Sequence, residues 1–120
     1  MSLRDEELKL LYDIERASLR ILQFTQGKTV ADYLQDVFLQ SAVERQFEII
    51  GEAVNRLQRD NPALANEIRE YRKIIDFRNV LSHSYDKVFH HVVWQAVTDK
   101  LPLLRDDVKR LHDFSQDPND

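Results

Sequence analysis

Apolar residues recur along this chain at intervals of three and four, the spacing that places side chains on one face of an α-helix. The first stripe predicts a helix that ends before Gln26-Gly27-Lys28, where Gly27 can adopt the left-handed conformation of a helix terminus. Ser2 is the candidate cap at its other end, close to the acidic residues 5–7. The apolar positions of this helix are Leu10, Ile14, Ala17, Ile21 and Phe24.

A second stripe predicts a longer helix, which follows a short helix capped by Thr29 and ending near Gln35. The longer helix should end near Asp60-Asn61, because the following Pro62 suits the first turn of a new helix. A glycine inside a helix costs about 1 kcal/mol relative to alanine. Gly51 is therefore either a tolerated neutral residue or a sign that another helix approaches, within the chain or across a dimer. The apolar positions here are Val43, Phe47, Ile50, Val54 and Leu57.

The rest of the chain predicts a third helical segment over residues 63–81, with a break near Glu67, and then a final helical segment. Pro102 should kink or divide the final segment, because a proline pushes the preceding residue, Leu101, away from helical geometry. The apolar positions are Ile68, Ile74, Ile75, Phe77 and Leu81 in the third segment, and Trp94, Val97, Leu101, Leu104, Val108 and Leu111 in the last.

These stripes predict an all-α fold, an up-and-down bundle of four or five helices. No strand pattern, internal repeat or low-complexity linker interrupts them, and the chain has only 2 glycines and 3 prolines to break helices. The length of 120 residues suits one domain. We assign residues 1–114 to that domain and expect residues 115–120 to be a frayed tail.

Composition narrows the classes of function. The chain has no cysteine, which excludes a disulfide framework, a thiolate metal site and a cysteine nucleophile. The first residues are charged and no apolar run approaches the roughly 20 residues of a membrane span, so a cytoplasmic protein that binds no membrane is expected. The net charge of −4 counts against general nucleic-acid binding, and DNA is not expected as a partner. Action on RNA would need a local basic patch or a partner.

The candidate chemistry is concentrated in residues 78–85, Arg-Asn-Val-Leu-Ser-His-Ser-Tyr. Arg78 is a permanent cation that fits phosphate geometry, and His83 can transfer protons near neutral pH. Residues five apart on a helix are separated by about 140° around its axis. A working pair therefore needs the helix to end or bend near Ser82, or a second copy of the chain. By themselves, the two residues also fit a salt-bridged arginine and a histidine favoured by the helix dipole.

Three further clusters leave alternatives open. Glu44, Glu48 and Glu52 recur every four residues, so they form either a solvated face or a carboxylate site for acid–base or metal chemistry. The basic cluster of residues 69–73 could contact RNA or be neutralised by neighbouring acids. The adjacent histidines 90 and 91 should diverge on a helix, and no metal-binding spacing or glycine-rich phosphate loop is present in the sequence. We expect no metal and no cofactor.

Residues 78–85 resemble the signature of HepT-like toxins, which belong to the HEPN superfamily (higher eukaryotes and prokaryotes nucleotide-binding). In that signature, four to six residues separate an arginine from a histidine, and the first of them is polar. A tyrosine follows two positions after the histidine. The resemblance extends over nearly the whole chain. Residues 42–53 are similar to the family's central helix and residues 76–79 to its approach to the motif. The motif residues here are Arg78, Asn79, His83 and Tyr85, and Trp94 and Leu101-Pro102 are similar to the family's final helices.

The resemblance implies a metal-independent RNA endonuclease, the toxin of a type II or type VII-like toxin–antitoxin pair. It would act as a homodimer with a composite site. His83 would be the general acid and base while the ribose 2′-hydroxyl attacks the adjacent phosphate and leaves a cyclic phosphate. Arg78 would hold that phosphate and stabilise the developing charge, with Asn79 and Ser82 in support. The resemblance also implies that part of the row of Glu44, Glu48 and Glu52 faces the cleft and positions Arg78.

The resemblance also implies a partner, a minimal nucleotidyltransferase antitoxin. It would transfer AMP from ATP to Tyr85, and the bulky, negatively charged group beside His83 would exclude RNA. An alternative is a non-catalytic helical module that binds this partner, which the acidic net charge favours. A plain structural dimer of amphipathic helices is the third possibility.

Overall fold

The structure, a computed structural model, describes residues 3–83 and 89–115 and is helical throughout most of them. Within these ranges there is no β-strand, which confirms the all-α helical bundle. The helices are α1 (Asp5–Thr25), α2 (Val30–Gln35), α3 (Val37–Asp60), α4 (Pro62–Ala65), α5 (Tyr71–His83), α6 (His90–Gln95) and α7 (Leu101–Ser115), with a π-helical turn, Ala96–Lys100, between the last two. None of these helices is long and apolar enough to cross a membrane.

The helices begin and end where short polar side chains and glycine can satisfy their free backbone groups. Thr29 accepts a hydrogen bond from the Asp32 N–H (3.2 Å) at the start of α2, as predicted. Gly27 has a φ of 74° just after α1, also as predicted. The start of α1 differs, because its cap is Arg4. Ser2 lies outside the described residues.

The core lies where α1 packs against α3, while α5 also packs against α3 and α7 packs against α1. The predicted stripe of α3 is buried in full, and that of α1 is buried up to Ile21. Phe24, the last predicted core position, is 36% exposed. Thr25 is buried instead, because the residue four positions after Ile21 lies on the same side of a helix with 3.6 residues per turn. Its hydroxyl donates a hydrogen bond to the Ile21 carbonyl (2.8 Å).

The break predicted near Glu67 is confirmed and separates α4 from α5. Glu70 has a positive φ of 58° before α5 begins, while Ile68 remains buried in the core. The segment is held to α7 by Asp107, which accepts hydrogen bonds from the Arg69 N–H (2.9 Å) and Nε (3.1 Å).

The expected departure of Leu101 from helical geometry is wrong. Leu101 has φ −58° and ψ −42°, and its N–H donates to the carbonyl of Ala96, five residues back. A wider turn of this kind makes room for the ring of Pro102, which lacks an N–H and would crowd the preceding turn of a regular α-helix. The chain therefore remains helical from His90 to Ser115, and its apolar stripe remains buried from Val97 to Leu111.

Candidate active site

Gly51 on α3 lies directly against Arg78 on α5, where the two helices are in close contact. A Cβ atom at Gly51 would overlap the Cβ of Arg78, and it would lie 2.7 Å from the Arg78 Cγ and 3.3 Å from the Ile74 carbonyl oxygen. The glycine is therefore required by the packing of two helices of the same chain. This contact brings the start of the Arg78 side chain directly against the backbone of α3.

The guanidinium of Arg78 is held by two hydrogen bonds. One nitrogen donates to Glu52 Oε2 (2.7 Å) and the other donates to Asn79 Oδ1 (2.9 Å). The Arg78 side chain is still 31% exposed. An arginine in this setting has a defined orientation and keeps donors available to a bound anion.

The carboxylates of Glu44, Glu48 and Glu52 are partly exposed, and each faces a side chain on another helix. Glu52 binds Arg78, while Glu48 Oε2 accepts a hydrogen bond from Ser82 Oγ (3.2 Å). Glu44 Oε2 lies 3.8 Å from His90 Nδ1 at the start of α6. The row thus follows α5 and reaches α6, with each carboxylate facing a different partner. Among the described residues, no three His, Asp or Glu side chains are arranged to hold a metal ion.

Glu44 and His90 belong to a half-buried polar cluster beside Tyr33. Burial raises the pKa of the Glu44 carboxyl, while His90 lowers it in part and Glu48 raises it. The Tyr33 ring meets the His90 ring edge-on at 6.1 Å, and burial raises the pKa of the Tyr33 phenol. His91 is exposed, so the two adjacent histidines diverge as predicted. The cluster lies where the start of α6 meets α2 and α3.

A cleft of about 220 Å³ opens between α1, α3 and α5 beside Arg78. Two of the predicted site residues, Arg78 and Ser82, line it on α5. It also contains two arginines that had no predicted role, Arg45 and Arg56. Their spacing on α3 relative to Glu48 and Glu52 was the sequence signal that could have found them. The other lining residues are Leu10, Asp13, Glu48, Ile49, Glu52 and Ala53.

His83 does not lie on the same side of α5 as Arg78. The helix is continuous from Tyr71 to His83, so the two residues are separated by about 140° around its axis. Asn79 and His83, four residues apart, share one face and are both exposed. The helix continues through Ser82 and ends at His83, so one chain does not bring the predicted pair onto one face. Tyr85 lies outside the described residues.

Neighbouring groups engage the basic cluster of residues 69–73. Arg69 forms an ion pair with Asp107 (3.0 Å), and Lys73 forms one with Glu70 (3.3 Å). Burial raises the pKa of Asp107, but the hydrogen bonds from Arg69 outweigh it and the pKa lies below its ordinary value. Arg72 Nε donates to the hydroxyl of Tyr71 (3.0 Å). Of the two alternatives for this cluster, neutralisation by neighbouring acids therefore applies to Arg69 and Lys73.

The known proteins that this chain matches are all named as ribonucleases, and the family model agrees with them. A family model described as "Ribonuclease HepT-like" matches residues 14–111. A Thermococcus cleftensis protein named "Probable ribonuclease HepT" is 36% identical over 101 residues, which cover 84% of this chain and 91% of that protein. A Methanocaldococcus jannaschii protein named as a putative RNase is 31% identical over 109 residues, 89% of this chain and 85% of its own length. A second one from that organism is 27% identical over 115 residues, 91% of this chain and 98% of its own. No solved structure is a significant match.

Proposed function

The chain belongs to the HepT-like ribonuclease family, and on that premise we propose that it is an RNA endonuclease, the toxin of a type II or type VII-like toxin–antitoxin pair. The observation that supports this most directly is the setting of Arg78. Its guanidinium is oriented by Glu52 and Asn79 at the edge of an open cleft, and His83 is exposed at the end of the same helix.

Arg78 is proposed to bind the phosphate that is attacked. Its two hydrogen bonds leave other N–H donors for phosphate oxygens, and Glu52 keeps the guanidinium beside the cleft. As negative charge develops on the phosphate in the transition state, a cation already in place stabilises that charge without reorganisation.

His83 is proposed to transfer the protons. As general base it would remove the proton of the ribose 2′-hydroxyl, whose oxygen then attacks the phosphorus. As general acid it would donate a proton to the departing 5′ oxygen, which leaves a cyclic phosphate and a free hydroxyl. Asn79 shares its face and Ser82 precedes it, so both are supporting residues. Because histidine and arginine provide both functions, the proposed reaction uses no metal ion.

The site is proposed to be completed by a second copy of the chain. Arg78 and His83 of one chain lie on different sides of a continuous helix. A two-fold dimer places two copies of the motif against each other, so that Arg78 of one chain meets His83 of its partner. The exposed side of α5 that includes Asn79 and His83 also has Val80 half exposed, which suits such a contact.

Substitution of either member of the pair tests the proposal. His83→Ala and Arg78→Ala should each lower the rate of RNA cleavage by about 100-fold or more, because each loses a group that acts in the transition state. The measurement is cleavage of labelled total RNA, with circular dichroism and light scattering as controls for folding and dimerisation. Undiminished cleavage by folded His83→Ala protein would refute the assignment.

A mixture of the two inactive variants tests the composite site. Random pairing makes about half of the dimers mixed, and each mixed dimer has one intact site, so about a quarter of wild-type activity should return. If Arg78 and His83 act within one chain, the mixture remains inactive, whereas the single variants still lose activity.

Tyr85 is proposed to be the acceptor of AMP from a minimal nucleotidyltransferase antitoxin. It lies two residues after His83 in the sequence, so an added phosphodiester would place charge and bulk beside the histidine. Incubation with that partner and ATP should increase the protein mass by whole AMP units, and Tyr85→Phe should abolish the increase. The same added mass on Tyr85→Phe protein would move the acceptor to another residue.

A further inference from the structure

We propose that Arg45 and Arg56 are two additional phosphate-binding positions, which hold a single strand of RNA along the cleft on both sides of Arg78. This inference rests on the proposed function, because it takes RNA as the ligand. Neither arginine belongs to the motif of residues 78–85. Both line the same cleft as Arg78, and both are exposed.

The two arginines lie on one stripe of α3. Arg45 and Arg56 are eleven residues apart, which returns to almost the same side of a helix and separates them by about 16 Å along its axis. Glu52 lies between them on that stripe and holds Arg78. The three arginines therefore follow one line, with the proposed reacting phosphate at Arg78 and a flanking cation toward each end.

The acidic residues of the cleft are already engaged, whereas these two arginines are not. Asp13 is paired with Lys9 (3.0 Å), Glu52 with Arg78 (2.7 Å), and Glu48 accepts the Ser82 hydroxyl. Within residues 3–83 and 89–115, the side chains of Arg45 and Arg56 form no hydrogen bond or ion pair. Three arginines and three carboxylates line the cleft, and Arg45 and Arg56 are the two cations of this lining whose side chains have no partner among the described residues. Both guanidinium groups are therefore available to bind phosphate.

The arrangement of the arginines favours a single strand. Arg45, Arg56 and Arg78 line one cleft of about 220 Å³ formed by α1, α3 and α5. Because the three cations follow one line, they match the single phosphate backbone of one strand. Single strands also present their 2′-hydroxyl and phosphate groups without the constraint of an A-form helix.

The test is RNA binding by protein in which His83→Ala prevents cleavage. In that background, Arg45→Ala with Arg56→Ala should weaken binding of a labelled single-stranded RNA by tenfold or more. Loss of two phosphate contacts should also reduce the slope of log affinity against log salt by about 1.4, at about 0.7 per contact for a single strand. Arg45→Lys with Arg56→Lys should retain most of the affinity, because the charges remain.

Arg16→Ala is the matched control, since Arg16 is exposed on α1 but does not line the cleft. Unchanged affinity and salt slope in the double alanine variant, or an equal loss in Arg16→Ala, would overturn the proposal. Thermal unfolding shows whether each variant is folded.

Wild-type cleavage of the same RNA is measured separately. If wild type cleaves and the double alanine variant binds like its parent, the cleft assignment fails alone. If wild type never cleaves but the double variant loses binding, the cleft stands and the nuclease proposal fails.

Discussion

Two neighbouring side chains fix the orientation of the Arg78 guanidinium. An exposed arginine samples many rotamers, and fixing it on a substrate costs conformational entropy. Here Glu52 and Asn79 hold two of its nitrogens before any ligand arrives. We infer that Glu52 is a positioning residue that acts on RNA only through Arg78.

Glu52→Gln should therefore reduce kcat by about tenfold or more while changing KM little, because a misplaced cation loses transition-state stabilisation more than ground-state binding. Its effect on the free energy of unfolding should stay below about 1 kcal/mol, since the ion pair is partly exposed. Steady-state cleavage kinetics and urea denaturation provide the two measurements.

Glu67→Gln is a matched control, because Glu67 is also a partly exposed glutamate paired with an arginine, Arg110 (3.5 Å), on another part of the molecule. It should leave kcat unchanged. Wild-type kcat in Glu52→Gln, or an equal decrease in both variants, would show that Glu52 does not position Arg78.

The position of Arg78 also depends on how closely helices α3 and α5 pack. Gly51 allows the two backbones to approach until the Arg78 Cβ fills the space that a side chain would occupy. Since a Cβ atom is fixed to the backbone, Arg78 cannot rotate away to admit a methyl group. Alanine at this position would force α3 and α5 apart.

Gly51→Ala should thus lower the free energy of unfolding by about 1–3 kcal/mol, because overpacking exceeds the gain of about 1 kcal/mol in helix propensity. It should also displace Arg78 and slow RNA cleavage. Urea denaturation at neutral pH measures the first effect. Ser41→Ala, at an exposed position of α3, is the control and should not be destabilised. A Gly51→Ala protein as stable as wild type would contradict this packing.

Most helix boundaries were predictable because the signals are local. Thr29, Asn61 and Gly27 act on backbone groups a few residues away, so their sequence neighbours are sufficient to predict them. The π-helical turn before Pro102 was not predictable. Whether a helix bends, divides or widens at a proline depends on how the apolar stripe on both sides packs into the core.

The whole molecule is acidic, yet its charges are distributed unequally. Acids neutralise Arg69 and Lys73, whereas the cleft beside Arg78 contains Arg45 and Arg56 without acidic partners among the described residues. A net charge of −4 therefore does not argue against an RNA substrate as strongly as composition suggests. If these two arginines bind phosphate, RNA binding should be confined to this cleft and should be sensitive to salt.

The proposed dimer follows from the same whole-molecule geometry. A continuous α5 separates Arg78 and His83 by about 140°, so within one chain the residue proposed to bind phosphate and the residue proposed to transfer protons do not face one substrate. Two copies related by a two-fold axis remove this obstacle. Restoration of activity on mixing the inactive variants is thus a property of the assembly, and neither protomer should show it alone.

The sequence by itself determined the helical class, most of the helix boundaries and core stripes, and the residues of the candidate motif, because these depend on periodicity and on short-range backbone chemistry. It left open the purpose of Gly51, the direction of the Glu44, Glu48 and Glu52 row, and the presence of Arg45 and Arg56 in a cleft. Tertiary structure decided these points, because each depends on residues that are distant in sequence becoming neighbours when α3 packs against α1 and α5.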